Sequence, residues 1–361
     1  MKHTYLYRCL LLLLTAWIIV SCGNDDEAYT PVPVSPVEMD LTQVPYDSLS
    51  KYKFFEGELK DRVPAYGVLP YDLNSTLFTD YAHKERFVWM PAGTQATYTT
   101  DGQVLDFPVG AALIKTFYYD ALEEGDPTNV VETRVMIKKE TGWIFADYVW
   151  NDEKTEATIN TVQIIKRVGW MENGVLRQTN YRIPAANQCK QCHQMDNAGI
   201  PIGPKPQNLN RNYTYTDGSQ NQLSKWMSFG YLDTAPQNIV STVDWKDAAQ
   251  PLELRVRSYL DINCAHCHID GGFCENSQTR YAFNETTNPE SFAFCVPSNE
   301  IFIDGQENIV QKQSADHSLM YYLMESTNQT LLMPVIGRTV KDAEANALIK
   351  QWIDSMESPC E

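Results

Sequence analysis

Residues 252–268 read LELRVRSYLDINCAHCH, and this stretch decides how the rest of the chain is interpreted. Its last five residues form a Cys-x-x-Cys-His pentad that begins at Cys264. Two thiols three positions apart lie about one helical turn from each other, so both can add to the vinyl groups of one haem. The pentad therefore predicts a c-type haem attached at Cys264 and Cys267, with His268 as the proximal iron ligand.

A second pentad, CKQCH, occupies residues 189–193. By the same reasoning Cys189 and Cys192 are the predicted attachment sites of a second haem c, and His193 is its proximal ligand. A zinc or scaffold role is the weaker alternative. Zinc ribbons place their two Cys-x-x-Cys pairs roughly 15–20 residues apart, much closer than in this chain, and here a histidine follows each pair.

The flanks of the second pentad carry a resemblance. Residues 252–262 have apolar side chains at helical spacing and lead directly into Cys264, and Met333-Pro334 precedes a predicted helix that begins near Thr339. Asp342 stands where a capping residue belongs. This order resembles a class I cytochrome c domain, which implies a mostly α-helical fold over residues 246–361 and Met333 as the distal iron ligand.

The first pentad, assigned to a segment of residues 184–245, has different surroundings. Pro184 and a predicted strand precede it, and Gly203-Pro204 follows. In class I cytochromes a proline carbonyl at this position accepts the imidazole proton of the proximal histidine. The sixth ligand stays open between Met227, one of two unassigned histidines and an iron without a sixth protein ligand. Those histidines are His83 and His317.

The N-terminus has the features of an exported lipoprotein. Lys2 and Arg8 are followed by the apolar run of residues 9–20, which is short for a membrane span and typical of a signal peptide. Residues 19–22, IVSC, resemble a bacterial lipobox, which implies a signal peptide of residues 1–21 and a lipid on Cys22. Residues 22–50 are acidic and then proline-rich, which predicts a flexible tether.

Residues 51–183 are predicted to form an antiparallel β-sandwich, because short runs of β-branched and aromatic residues alternate with turn residues. The predicted strands are residues 87–90, 112–119, 131–138, 143–150, 161–167 and 175–183. Three cysteines lie outside the pentads and the N-terminal segment: Cys274, Cys295 and Cys360. In an oxidising compartment two of them are expected to pair. We predict the bond Cys274–Cys295, because the loop between these residues is short and both lie in a Gly-rich and polar insertion just after the second pentad. This leaves Cys360 unpaired.

The expected architecture is thus a multidomain α+β chain: a β-sandwich followed by mostly α-helical cytochrome c-like segments. The layout resembles an uncharacterised family of bacterial di-haem c-type cytochrome lipoproteins, which implies electron transfer to a redox protein partner in the cell envelope, with a lipid anchor in the outer membrane. A net charge of −17 argues against a nucleic-acid partner. The alternative function is a peroxidase-like di-haem oxidoreductase with an open coordination site at the first haem.

Overall fold

The computed structural model describes residues 33–122 and 129–360. Residues 35–361 are grouped in one compact unit. Of the described residues, 21% are in helices and 27% in strands, and the remainder form turns and irregular segments. Within the described ranges, none of the helices has the length and apolar content that crossing a bilayer requires. The predicted signal peptide and the predicted lipid site at Cys22 lie outside the described residues.

A six-stranded antiparallel sheet forms the N-terminal half. Its strands follow one another in chain order, so each pairs with its neighbours in sequence. They are β3 (Leu69–Tyr71), β4 (His83–Trp89), β5 (Ala112–Tyr119), β6 (Asn129–Lys139), β7 (Gly142–Trp150) and β8 (Ala157–Asn160), preceded by the short pair β1 (Phe55–Glu56) and β2 (Val63–Pro64). The connection from β6 to β7 is a two-residue turn, whereas residues 90–111 form a long connection from β4 to β5.

The two faces of this sheet are both covered. Side chains on one face, among them Ile114, Val135 and Tyr148, pack against Leu49 and Tyr52 from the segment before β1. Side chains of opposite parity point to the other face, because successive strand residues alternate. That second face carries an apolar part that packs on later helices and a polar part that borders the first pentad.

Three hairpins and six helices follow. The hairpins are β9–β10 (Ile164–Glu172, Val175–Ile183), β11–β12 (Gln194–Met195, Ala198–Gly199) and β13–β14 (Asn212–Tyr215, Gly218–Asn221). The helices are α1 (Cys189–Cys192), α2 (Pro206–Leu209), α3 (Gln222–Phe229), α4 (Leu252–Asn263), α5 (Leu319–Glu325) and α6 (Ala343–Asp354). The end of β10 at Ile183 coincides with the predicted end of the β-rich part.

The expected fold class is wrong. The described chain is mostly sheet and irregular structure, and its C-terminal part is not a mostly α-helical, cytochrome c-like domain. Between α4 and α6 the chain forms α5 and isolated turns of 3₁₀ helix, because residues 270–318 are rich in Gly, Pro, Asn and Ser, which favour turns. The β-sandwich is also wrong, since in the described part of the chain every other sheet has only two strands and none matches the main sheet in size.

The flexible tether predicted for residues 22–50 includes residues that are folded. From Ser35 onward the chain belongs to the compact unit. Val44 and Leu49 are buried in the core beneath the sheet, and Glu38 N donates a hydrogen bond to Tyr52 O. Burial of these apolar side chains offsets the entropy of ordering a proline-rich segment. A proline-rich composition was therefore a poor guide to residues 35–50.

The two longest helices pack on each other in the C-terminal part. α4 contributes Val256, Tyr259 and Leu260 to a buried cluster that also contains Ile349 and Trp352 of α6. The predicted helix over residues 252–262 is confirmed. The predicted start of the last helix near Thr339 is wrong: α6 begins at Ala343, and Asp342 is its N-cap, whose carboxylate accepts a hydrogen bond from Ala345 N. These helices were recognisable because their apolar periodicity and cap are local features.

The predicted disulfide is wrong. Cys295 is bonded to Cys360, with a Cα–Cα distance of 5.3 Å, and Cys274 is a free thiol. The reason lies in the packing of the chain end: Gln313 donates from its side chain to Met356 O and Glu357 O, which holds the residues after α6 against the segment near Cys295. Cys274 instead lies beside Cys267, to whose carbonyl it donates a backbone hydrogen bond.

Candidate functional site: two adjoining Cys-x-x-Cys-His clefts

The first pentad forms one turn of helix followed by a hairpin. Cys189 and Cys192 are the first and last residues of α1, and His193 ends the turn. The β11–β12 hairpin then brings Ile200 back to His193, where Ile200 N donates to His193 O. In return His193 Nδ1, at 3.0 Å, donates its proton to Ile200 O. This contact fixes the ring and leaves Nε2 as the nitrogen available to a metal.

Ile200, not Pro204, therefore supplies the carbonyl that was expected from the Gly203-Pro204 pair. The expected contact rested on a spacing of ten residues, as in class I cytochromes. Here the two-stranded hairpin brings the chain back to His193 sooner. Gly203 has a φ of +108° and lies against Leu73, where an added Cβ would approach Leu73 Cδ1 to 2.6 Å. This glycine is needed for a backbone conformation and for close packing.

The second pentad follows directly from the end of α4. Cys264 N donates to Leu260 O, and His268 N donates to Cys264 O, so the pentad continues the helical path by about one turn. His268 Nδ1 forms a hydrogen bond of 2.9 Å with the hydroxyl of Thr279, which is buried. As in the first pentad, Nδ1 is engaged, and among the described residues no hydrogen bond reaches Nε2.

Both proximal imidazoles are held neutral. Burial lowers the pKa of His193 to about 3 and that of His268 to about 4. A neutral ring keeps a lone pair on Nε2, which is the form that binds a metal. Burial also raises the pKa of the Cys264 thiol to about 12 and raises that of Cys189.

Each pentad opens into its own cleft. The first cleft encloses about 1170 Å³ with its mouth included, and it is bordered by Cys189, Cys192 and His193 on one side and by the sheet on another. The second cleft encloses about 1400 Å³ and is bordered by Cys264, Cys267 and His268.

Met333 lies in the second cleft, together with the three functional residues of that pentad. Arg338 holds its backbone: Arg338 Nε and Nη2 donate to Met333 O at 3.0 and 2.7 Å. Two further methionines, Met320 and Met324 of α5, line the same cleft. Met320 Sδ already accepts a weak hydrogen bond from Tyr281 Oη at 3.7 Å.

The candidates for a sixth ligand at the first cleft lie elsewhere. Met227 is on α3 and packs against the apolar cluster around Trp226, away from the lining of the first cleft. His83 is exposed and paired with Asp120, and His317 is exposed and bonded to Ser314. The methionine that does line the first cleft is Met136 of β6, which sequence reasoning missed.

The two pentads touch each other. Ligand atoms of Cys192, His266 and Cys267 all lie within 4.8 Å of one another. Cys267 Sγ also donates a weak hydrogen bond of 3.7 Å to Gln191 O. His266 borders both clefts, and its buried Nδ1 has no hydrogen-bond partner among the described residues.

No family model, no curated protein and no solved structure matches this chain. The site is therefore interpreted from its own residues.

The donor sets fit a haem c at each pentad. Each cleft offers two thiols one helical turn apart, a neutral imidazole with its Nδ1 fixed and its Nε2 unengaged, and walls that are mainly apolar. The same atoms also permit a different ligand set, because Cys192, His266 and Cys267 meet across the boundary. The two arrangements exclude each other, since a sulfur committed to a thioether cannot serve as a thiolate ligand.

Sequence reasoning missed the polar residues on the sheet wall of the first cleft, which are Lys115, Arg134 and Asp147. Their signal was present in part: Lys115 and Asp147 each interrupt a strand of otherwise apolar, aromatic or β-branched residues, whereas the strand of Arg134 contains further charged residues. A charged residue inside a buried strand is uncommon and marks either an ion pair or a site.

Proposed function

We propose that this chain is a di-haem c-type cytochrome that transfers electrons between redox partners in the cell envelope. The observation that carries the proposal is the contact between two complete Cys-x-x-Cys-His pentads, whose second thiols lie within 4.8 Å of each other and of His266. A haem bound at each pentad supplies a one-electron centre. The chain fixes the two sites side by side, which favours exchange between them.

The protein's own residues support this proposal in three ways. Ile200 O and the Thr279 hydroxyl orient the two imidazoles. The apolar walls exclude water, which raises the influence of nearby charges on a redox centre. The segment from Pro334 to Arg338 borders both clefts and separates them, so one piece of backbone contacts both sites.

Mass spectrometry of the processed full-length protein tests the proposal. We expect two haem adducts, one on the peptide with Cys189 and Cys192 and one on the peptide with Cys264 and Cys267, because both pentads have the required geometry. We also propose that the mature N-terminus is a lipid-modified Cys22, which the same measurement reports. A Cys189→Ala, Cys192→Ala variant serves as the control and should retain one adduct. Unmodified thiols at both pentads would reject the di-haem assignment.

A metal site is the second candidate. The trio Cys192, His266 and Cys267, with Cys274 beside Cys267, offers the sulfur and nitrogen donors that zinc prefers. The mass measurement separates the two candidates, since zinc binding requires free thiols and a stoichiometric metal content. An oxidoreductase with an open first centre is the other alternative, and the absence of Met227 from the lining of the first cleft favours it over a fully ligated first site.

Met333→Ala tests the proposed distal ligand of the second site. We expect the far-red charge-transfer absorption band of the oxidised protein to disappear and the midpoint potential to fall, because the thioether is a soft ligand that favours the reduced state. The affinity for added imidazole should rise about tenfold or more, because imidazole no longer has to displace the Met333 thioether. A tenfold change corresponds to ~1.4 kcal/mol in binding free energy. Absorption spectra and redox titration measure these changes.

Met324→Ala is the matched control, because Met324 borders the same cleft from α5 and is buried. It should leave the band in place. If the band persists in Met333→Ala and is lost in Met324→Ala or Met320→Ala, the distal ligand comes from α5 and the assignment of Met333 is wrong.

A further inference from the structure

A row of charged side chains crosses the sheet wall of the first cleft. In the register of the sheet, Arg86 on β4 lies opposite Lys115 on β5, Lys115 opposite Arg134 on β6, and Arg134 opposite Asp147 on β7. Directly opposite residues on one face are near neighbours. Lys115, Arg134 and Asp147 border the first cleft together with Cys189 and His193.

The charges in this row are only partly balanced. Arg86 pairs with Asp72 at 2.6 Å, and Arg134 pairs with Glu132, which is fully buried, at 2.7 Å. Lys115 has no hydrogen bond or ion pair among the described residues, and its Nζ lies 4.8 Å from the centre of the Phe117 ring. Burial, reinforced by the neighbouring charges of Arg86 and Lys84, lowers the pKa of Lys115 well below its usual range, because a buried ammonium without an anion is unfavourable. An anion that enters the cleft favours the charged form of this amine.

Asp147 does not supply that partner. Its side chain is 4% exposed, and neither carboxyl oxygen has a hydrogen-bond partner. Burial, reinforced by the charge of Glu132, raises the pKa of Asp147 well above its usual range, which favours the protonated form of this carboxyl. In that form it is a hydrogen-bond donor and leaves the cations of the row uncompensated.

We propose that Lys115 and Arg134 form a carboxylate-binding site in the first cleft, with the acid form of Asp147 as a further donor. The carboxylate can come from two sources: a propionate of the haem attached at Cys189 and Cys192, which rests on the proposed function, or a small diffusible carboxylate, which does not. In both cases the Lys115 amine approaches as a point charge and the Arg134 guanidinium as a planar donor.

The substitution Lys115→Met tests the site through the sign of its effect on the thermal midpoint. Without an anion in the cleft, replacing an unpaired half-buried amine by a thioether of similar length should raise the midpoint or leave it unchanged. With a carboxylate bound, the same substitution should lower it. Lys138→Met is the matched control, because Lys138 is another half-buried lysine of the sheet, lies over Trp143 and is outside the cleft lining.

Sodium acetate, titrated against sodium chloride at equal ionic strength, separates the two sources. If the ligand is diffusible, acetate raises the midpoint of the wild-type protein, as a ligand of the native state does, and Lys115→Met weakens the apparent acetate affinity about tenfold. If the ligand is the attached propionate, acetate has no effect on the wild type, while Lys115→Met still lowers its midpoint. In either case Lys115→Arg restores much of the wild-type behaviour, because it keeps the positive charge.

A midpoint in Lys115→Met that equals or exceeds the wild-type value, with and without acetate, overturns the site. The haem content of the same preparations is measured by mass spectrometry. An acetate effect that depends on Lys115 in protein without haem adducts would leave the carboxylate site standing and reject the di-haem proposal, so the two failures are distinguishable.

Discussion

Replacing Arg338 by methionine should lower the free energy of unfolding by about 3 kcal/mol. Arg338 is 5% exposed, and its guanidinium donates to five backbone carbonyls. The acceptors are the carbonyls of Leu323, Met324, Ser326, Met333 and Val340. Methionine fills similar space and donates nothing, so several of these buried oxygens lose their partner. Chemical denaturation of the two proteins measures the difference.

The same substitution should also release the segment that separates the two clefts. Arg338 connects the end of α5 to Met333, and Asp80 fixes the following residues by accepting from Thr339 N and Val340 N at 2.6 and 3.0 Å. Loss of the Arg338 contacts leaves the Asp80 contacts in place, so we expect faster proteolysis within residues 326–338 while the β-sheet stays folded. A change in the Met333-dependent absorption band should accompany it.

Arg177→Met is the control, because it makes the same arginine-to-methionine replacement at an exposed position. Arg177 lies on β10 with 54% of its side chain exposed and pairs only with Glu172. Its replacement should change the free energy of unfolding by less than about 0.5 kcal/mol. Equal effects of the two substitutions would mean that Arg338 does not hold the segment through its carbonyl contacts.

Removing the Cys295–Cys360 disulfide should destabilise the protein by about 4 kcal/mol, since the bond closes a loop with a sequence separation of 65. Cross-linking residues so far apart removes many conformations from the unfolded chain. Guanidinium denaturation of the double variant Cys295→Ala, Cys360→Ala against the wild type measures the loss. Peptide mapping without reductant should recover the two cysteines in one linked pair.

Cys274→Ala separates this bond from the one that the sequence suggested. In the structure Cys274 is free, so this variant should keep the linked pair and most of the stability. If instead Cys274→Ala exposes a new thiol at Cys295 and removes the stabilisation, the bond predicted from sequence is the real one and the observed pairing is wrong.

The sequence by itself predicted the local features. Both pentads were visible because their chemistry depends on residues within one helical turn. The strands around residues 112–119 and 143–150 and the helix that begins at Leu252 were also recognised, because periodicity involves near neighbours in the chain. What failed was the extrapolation from these elements to a mostly helical cytochrome c-like fold.

Only the tertiary structure decided which distant residues meet. It brings Cys192 next to Cys267 and Cys295 next to Cys360. It also packs Met227 against an apolar core, whereas Lys115 and Asp147 border a cleft. The alternation of side chains along strands indicates that Lys115 and Arg134 lie on one side of a sheet, but it does not indicate which element covers that side. Contacts between segments far apart in the chain depend on how the apolar cores pack. The spacing of residues within one segment does not determine that packing.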